Sequence, residues 1–330
     1  MYKRQSKALR VLGFAYKPLA EPKIDEEDLI FVGLQGMIDP PREGIKEAIE
    51  TAREAGITVK MITGDHKKTA IAIGRMIGIS GDALSGEEMD KMSDEELNKS
   101  LDSVNIFARV SPAHKLRIVK LLEKRYIVAM TGDGVNDAPA LKKASIGICV
   151  ENGSDVAKEA SDMLLLDSHL NAIITAIEQG RTIYENIQKF IAYMLSCNLA
   201  EVAIISLAIM FNMPLPLTVV QLLWINLVTD GPPAIMLGMD PPYEGIMKHK
   251  PRRKDEHILT RRMFKRILLI SALITTALFL LFNYYINDVT KARTVVFTGL
   301  VFYEVAILDF IRRGYRLGWL ANKGLIMAVL

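Results

Sequence analysis

The residues from Met130 to Leu141 read Met130-Thr131-Gly132-Asp133-Gly134-Val135-Asn136-Asp137-Ala138-Pro139-Ala140-Leu141. A strand that ends in Gly-Asp-Gly brings a carboxylate close to backbone amides without side-chain crowding. Asp133 there suits Mg²⁺, a hard cation that favours carboxylate, water and phosphate oxygens. Asn136 and Asp137 follow one turn later and could orient that aspartate and its waters. A tight turn rich in Gly, Asn and Asp explains shorter strings of this kind, but the length of this one argues for a site. Thr63-Gly64-Asp65 offers a hydroxyl and amide donors to phosphoryl oxygens at a helix N-terminus, although a plain helix cap would account for that tripeptide equally well. Lys115 is placed to neutralise charge on a transferring phosphoryl group; alone it reads as a solvated helix residue.

A second set of oxygen-bearing residues lies in apolar surroundings. Asn198 and Glu201 are three apart and share a helical face, and Asn226, Thr229 and Asp230 do the same at i, i+3 and i+4. Gly231-Pro232-Pro233 follows at once and should disrupt the helix, freeing carbonyls beside Asp230. Glu304 adds another carboxylate. Burying three carboxylates in a membrane is unfavourable unless they have a function, and an all-oxygen set suits a hard cation such as Ca²⁺. Hydrogen bonding between helices is the plain alternative, most plausible for Asn198 or Thr229 singly. Asp309 falls near the end of its segment and reads as interfacial. The five histidines form no cluster.

The elements that must carry these groups divide the 330 residues in two. Up to about residue 185 the chain is mixed and charged. Thr58 to Ile62 reads as a strand before a helix from about His66. Lys115 to Lys124 reads as a helix, Tyr126 to Met130 as a strand and Ile146 to Val150 as another. Such alternation predicts a parallel sheet covered by helices, with functional groups beyond the carboxyl ends of the strands. A helical pattern then runs from about Asn171 towards the first of four apolar segments, 190–211, 219–239, 267–286 and 295–311. A membrane-crossing helix needs roughly 20 apolar residues; the first three fit and the fourth is short. Another apolar run starts at 325–330, and a membrane domain ending there predicts a truncated chain. Lys and Arg crowd the loop from Lys248 to Arg266 and the stretch from Arg312 to Lys323. That bias puts both, and the charged half, in the cytoplasm. The net charge of +3 is too mild for nucleic-acid binding, and no basic stripe interleaves with aromatics. Two cysteines, Cys149 and Cys197, make no disulfide framework and fit a reducing cytosol.

In this order, Asp39-Pro40-Pro41-Arg42, Thr63-Gly64-Asp65, Lys115 and the Asp133 string resemble the latter part of the phosphorylation domain of P-type ATPases. The resemblance implies an α/β haloacid-dehalogenase-like fold, a Rossmann-like parallel sheet, followed by a helical transmembrane bundle. It implies residues 1–32 as the tail of a nucleotide-binding domain, 33–170 as part of the phosphorylation domain, and 171–330 as stalk helix and membrane domain. It further implies that Thr63, Gly64, Asp65 and Lys115 meet the phosphoryl group of ATP and that Asp133 ligates Mg²⁺ beside Asn136 and Asp137. Asp39 and Arg42 would lie near the nucleotide hinge. Gln221-Leu222-Leu223-Trp224-Ile225-Asn226-Leu227-Val228-Thr229-Asp230-Gly231, with Asn198, Glu201 and Glu304, is similar to calcium pumps of the sarcoplasmic-reticulum type, which makes Ca²⁺ the expected cargo. Pro232 departs from the animal calcium-pump pattern.

Other departures weigh more. The phosphate-acceptor string Asp-Lys-Thr-Gly-Thr is absent, as are the Thr-Gly-Glu-Ser loop and the Pro-Glu-Gly-Leu helix of the family. The expectation is that these residues alone hydrolyse no ATP, and that their partners are membrane lipid and the N-terminal half of the same pump. The short external loops point to a prokaryotic plasma membrane. Alternatives are a sodium–potassium or proton pump, half of a split or inactive pump, and a membrane-anchored phosphatase of the haloacid-dehalogenase type. The last would need its own nucleophilic aspartate early in the chain, and no Asp-x-Asp string precedes Thr63.

Overall fold

The computed structural model describes residues 10–18, 27–37, 40–166 and 170–329. The chain separates into two compact units. The first takes in residues up to Thr175 together with Met247–Lys254, and the second Ala176–Ile246 with Asp255–Leu330.

In the first unit, β1 (Arg10–Tyr16) and β2 (Ile30–Met37) form an antiparallel pair with a bulge at Phe14/Ala15. The remaining strands alternate with helices, as their apolar runs and turn signals predict. They make two three-stranded parallel sheets rather than the single one expected. One sheet has the order β3 (Met61–Ile62), β5 (Val104–Ala108), β4 (Asp82–Ser85). The other has β6 (Ala129–Gly132), β7 (Ile146–Val150) and β8 (Met163–Leu165). Ile62 packs against the core cluster of Phe107 and Ile118 and also against that of Met130 and Cys149. The apolar cores under the two sheets therefore share a side chain at the end of β3.

The helices start where capping chemistry starts them. Helix α1 (Ile45–Glu54) follows Gly44, whose φ of 77° suits glycine. Helix α2 (Lys67–Met76) is capped by His66. Helices α3 (Gly86–Asp90) and α4 (Asp94–Ser100) open on the capping boxes Ser85/Glu88 and Ser93/Glu96. Helix α5 (Pro112–Glu123) has Ser111 as cap and proline in its first turn. Helix α6 (Ala138–Lys143) follows a short 3₁₀ turn at Val135–Asp137, and α7 (Asp155–Ala160) is capped by Ser154.

In the second unit the helical pattern from Asn171 is one helix, α8 (Leu170–Met210), which begins within the first unit's residues. The expected span 219–239 is interrupted. It consists of α9 (Val219–Trp224), a π-helical turn (Ile225–Thr229) and α10 (Gly231–Leu237). The break comes before the prolines, not at them. Pro232 and Pro233 sit in the first turn of α10, where their missing N–H groups have no helical partner to lose. Helices α11 (Arg261–Tyr284) and α12 (Val289–Gly314) are continuous, and α13 (Lys323–Val329) follows. Among the described residues three helices, α8, α11 and α12, are long and apolar enough to cross a membrane. Their buried faces meet around Tyr193, Ile204, Ile225, Leu278, Val296 and Leu308.

Candidate functional sites

Beyond the carboxyl end of β6 the chain folds back on itself. The buried Asp137 turns its carboxylate towards the preceding loop, where Oδ2 accepts hydrogen bonds from the backbone N–H groups of Asp133 and Gly134, 3.3 Å each. Its Oδ1 takes Lys115 Nζ from α5 at 2.5 Å. Gly132 makes this closure possible, because a Cβ there would stand 2.6 Å from Asp137 Cβ. From the other side Ser154 N–H donates to the Asp133 carbonyl at 2.8 Å. Gly153 permits that approach: a Cβ on it would lie 2.5 Å from Cys149 Sγ and 3.2 Å from the same carbonyl.

Asp133 is thus pinned through its backbone while its own carboxylate stays exposed and accepts no hydrogen bond from a described residue. A pinned, exposed carboxylate beside a glycine cradle fits a hard cation such as Mg²⁺. Of the two residues expected to orient Asp133, Asp137 bonds the backbone of its loop. Asn136 is exposed and bonds neither Asp133 nor Asp137. The Gly153–Ser154 support escaped sequence reading, though an Asn152-Gly153 pair after a strand was a usable turn signal.

Thr63, Gly64 and Asp65 occupy the equivalent place after β3. Thr63 Oγ1 accepts from Asp65 N–H and donates to Asp65 Oδ2, both at 3.1 Å. The loop is fastened to β5 and its successor by Thr63 N to Phe107 O, Val110 N to Thr63 O and Arg109 N to Asp65 O. No hydrogen bond or ion pair among the described residues joins this tripeptide to Lys115, Asp133 or Asp137. The two loops share their position beyond parallel strands and the core around Ile62. Arg42 is exposed, and Asp39 lies outside the described residues.

In the second unit, Glu201 from α8, Asp230 from the end of the π turn and Glu304 from α12 each bring one carboxylate oxygen within 4.8 Å of the others. All three are buried, at 4, 0 and 3 % exposure. The few donors nearby do not satisfy them. Asn226 Nδ2 gives one bond to Glu201 Oε2, at 3.2 Å, and Tyr193 OH gives one to Asp230 Oδ1, at 3.1 Å. Glu201 Oε1, Asp230 Oδ2 and both Glu304 oxygens have no donor. Four orphan carboxylate oxygens in one buried cage require a bound cation or bound protons.

The π turn carries Asn226 and ends at Asp230. Asp230 N–H reaches back five residues to Ile225 O at 2.9 Å, a widened turn of the kind common at functional sites. Thr229 gives its hydroxyl to Ile225 O, and Asn198 is half-buried on α8 without a hydrogen bond to any of the three carboxylates. The structure therefore gathers Glu201, Asp230, Glu304 and Asn226, sets the Thr229 hydroxyl beside Glu304, and leaves Asn198 unjoined to the carboxylates by a hydrogen bond. Tyr193 was not foreseen. Its signal was its place eight residues before Glu201, on the same face of the helix.

Residues 214–330 match the family described as cation transporting ATPase, C-terminus, and residues 8–145 and 122–177 match haloacid dehalogenase-like hydrolases. The chain is 46% identical over 310 residues to a calcium-transporting ATPase of Bacillus subtilis (strain 168), which covers 90% of this chain and 35% of that protein. It belongs to the P-type cation-transporting ATPases. Calcium-transporting ATPase 1 of Saccharomyces cerevisiae is 43% identical over 96% of this chain and 36% of its own length. Calcium-transporting ATPase type 2C member 1 of Mus musculus is 40% identical over 98% of this chain and 36% of its own. This mammalian relative is of type 2C, where the sequence analysis pointed to the sarcoplasmic-reticulum type. The chain spans a little over a third of the length of these cation-transporting ATPases. The haloacid-dehalogenase-like domain followed by membrane-crossing helices is the architecture expected of this family.

Proposed function

We propose that this chain is the part of an ATP-driven pump that handles the phosphoryl group and binds the transported ion, and that the ion is Ca²⁺. The cage of Glu201, Asp230 and Glu304, with its four oxygens lacking donors, carries this reading. Three carboxylates match a divalent cation better than a single Na⁺, K⁺ or proton. Carboxylate oxygens with a neighbouring Asn amide are the ligand type Ca²⁺ takes, whereas a soft metal would call for thiolates. The calcium named in the relatives points the same way.

On this reading residues 1–32 are the tail of a nucleotide-binding domain, 33–170 belong to the phosphorylation domain, and 171–330 form the stalk and membrane domain. The charged half up to about residue 185, the basic loop around Lys250 and the stretch from Arg312 to Lys323 face the cytoplasm, in a prokaryotic plasma membrane. The acceptor aspartate and the remaining ion ligands come from another part of the pump, which is this chain's protein partner beside membrane lipid. Asp133 would hold Mg²⁺, which would supply positive charge against the phosphoryl group. Asp137 holds the loop that presents Asp133, and keeps Lys115 at its edge as the cation that meets phosphoryl charge. Thr63 and the amides of Gly64 and Asp65 donate to the same group. Asp39 and Arg42 are assigned to the nucleotide hinge, and Asn136 to the solvent side of the Asp133 loop.

The test is phosphorylation by ATP in membranes carrying the full-length gene product. Glu201→Gln and Asp230→Asn should each abolish its Ca²⁺ dependence, with phosphorylation from inorganic phosphate preserved. Calcium dependence unchanged in both variants would refute the assignment.

A further inference from the structure

A second buried charge cluster lies about two to three helical turns from the carboxylate cage, at the other end of the same helices. Asp240, just past α10, has a fully buried carboxylate. Its Oδ2 accepts from Lys189 Nζ on α8 at 3.3 Å and from Arg312 Nε on α12 at 3.2 Å. Its Oδ1 accepts from Asn322 Nδ2, ahead of α13, at 2.9 Å, and its backbone carbonyl accepts from Asn186 Nδ2 on α8 at 2.8 Å. Lys189 and Arg312 are each 1 % exposed. Tyr315 covers Lys189, with its ring centre 4.7 Å from Nζ, and Trp319 lies over Arg312 at 6.0 Å. The cluster holds Lys189 and Arg312 on one carboxylate: Arg312 Nη2 lies 3.2 Å from Asp240 Oδ1, and Nη1 finds no hydrogen-bond partner.

The placement of these residues has a pattern. Every helix that brings a carboxylate to the cage also brings a member of this knot. Helix α8 carries Lys189 and Glu201, twelve residues or about 18 Å apart along the axis. Helix α12 carries Glu304 and Arg312, eight residues or about 12 Å apart. Asp230 and Asp240 bracket α10. Rigid helices joined at one end by a directional, charge-assisted cluster cannot slide past one another without breaking it.

We propose that Asp240 is a positioning residue for the cation site, holding α8, α10 and α12 in the axial register that brings Glu201, Asp230 and Glu304 together. Asp240 touches neither the ion nor the phosphoryl group; it acts through the register of the helices that hold the ligands. This rests on the transport reading for its effect on ion affinity, but not for its effect on helix register.

Two measurements test it in the full-length gene product in lipid nanodiscs. The first is equilibrium ⁴⁵Ca²⁺ binding alongside thermal unfolding. Asp240→Asn should weaken binding at least tenfold, and Asp240→Glu should recover part of the loss. Lys189→Met should lie nearer wild type, because Arg312 and Asp240 then remain one to one. The second uses spin labels on cysteines at Leu199 and Phe302, exposed positions two residues from Glu201 and Glu304; Cys149 and Cys197 are buried, and any cysteine elsewhere in the gene product is replaced beforehand. Asp240→Asn should shift or broaden that distance by at least about 1.5 Å, one helical residue. Lower thermal stability with wild-type affinity and an unchanged distance would reduce Asp240 to a stabiliser of the fold and overturn the proposal. A wild type that binds no Ca²⁺ would refute the transport reading, while the spin-label distance would still decide the role of Asp240. Should Asp240→Asn fail to fold, Asn322→Ala removes one bond to the same carboxylate and must show the same signs, at two- to threefold in affinity.

Discussion

Gly132→Ala and Gly134→Ala change the two glycines that flank Asp133, and the structure separates them sharply. A Cβ on Gly132 would stand 2.6 Å from Asp137 Cβ and 2.9 Å from its Cγ, about 1 Å short of ordinary carbon contact. Asp137 has nowhere to retreat, being buried and held by Lys115 Nζ and by the amides of Asp133 and Gly134. The amide bonds are already 3.3 Å long, so a shift of that size breaks both. Two bonds to a charged acceptor at about 1.5 kcal/mol each, with about 1 kcal/mol of overpacking, amount to about 4 kcal/mol. That is a large part of a domain's usual stability of about 5–15 kcal/mol. A Cβ on Gly134 meets nothing nearer than 3.7 Å, and its φ of −99° suits any residue, so Gly134→Ala should fall within about 0.5 kcal/mol of wild type. The reporter is Cys149, buried in the core of this same unit. In a Cys197→Ser background, a thiol-reactive fluorophore follows urea unfolding of the Cys149 core alone. Equal midpoints for the two alanine variants would refute the packing argument.

Three further outcomes follow from the same unit. Lys115→Met strips the buried Asp137 of its cation and should lower stability by about 3 kcal/mol in the Cys149 assay, with Lys115→Arg intermediate. Ser111→Ala removes the cap of α5 and should cost about 1 kcal/mol in that assay, with Ser111→Asn near wild type. Hydrogen bonds from Lys67, then from the Ser85 backbone, hold the Glu88 carboxyl below the usual carboxylate range. Its contribution is therefore complete above about pH 5 and is lost as pH falls through the lowered value. The stability gap between wild type and Glu88→Gln should close on acidification below about pH 4; a gap constant down to pH 3 would show that the carboxylate charge is idle.

Local sequence was a good guide where local chemistry decided the outcome. Ile146–Val150 is a strand with the bounds read from its apolar run, and the capped α5 begins three residues before the expected Lys115. Tyr126–Met130 slid to Ala129–Gly132 because the backbone of Arg125 and Tyr126 closes the end of α5 on Leu122 O. Thr58–Ile62 shrank to two residues because β5 offers a parallel partner only to Met61 and Ile62. The split into two sheets depends on which distant edges pair, and no window of sequence holds that information. The cage residues were legible because carboxylates in apolar segments stand out. Their helper Tyr193 was hidden by its ordinary chemistry, and Asp240 by lying outside the apolar segments it ties together.

The widened turn at Ile225–Thr229 gives the segment beside the carboxylate cage one residue to spare. It holds one more residue than an α-helical turn would. Deleting Leu227 or Val228 would let the segment heal into unbroken α-helix, still apolar and still long enough for its place. The segments on either side would keep their facing, because a π turn closes with five residues the turn that an α-helix closes with four. What would go is the widened backbone that sets Asp230 N–H on Ile225 O, five residues back. A homologue one residue shorter here would keep Glu201, Asp230 and Glu304 opposed and lose only the loosened turn beside them.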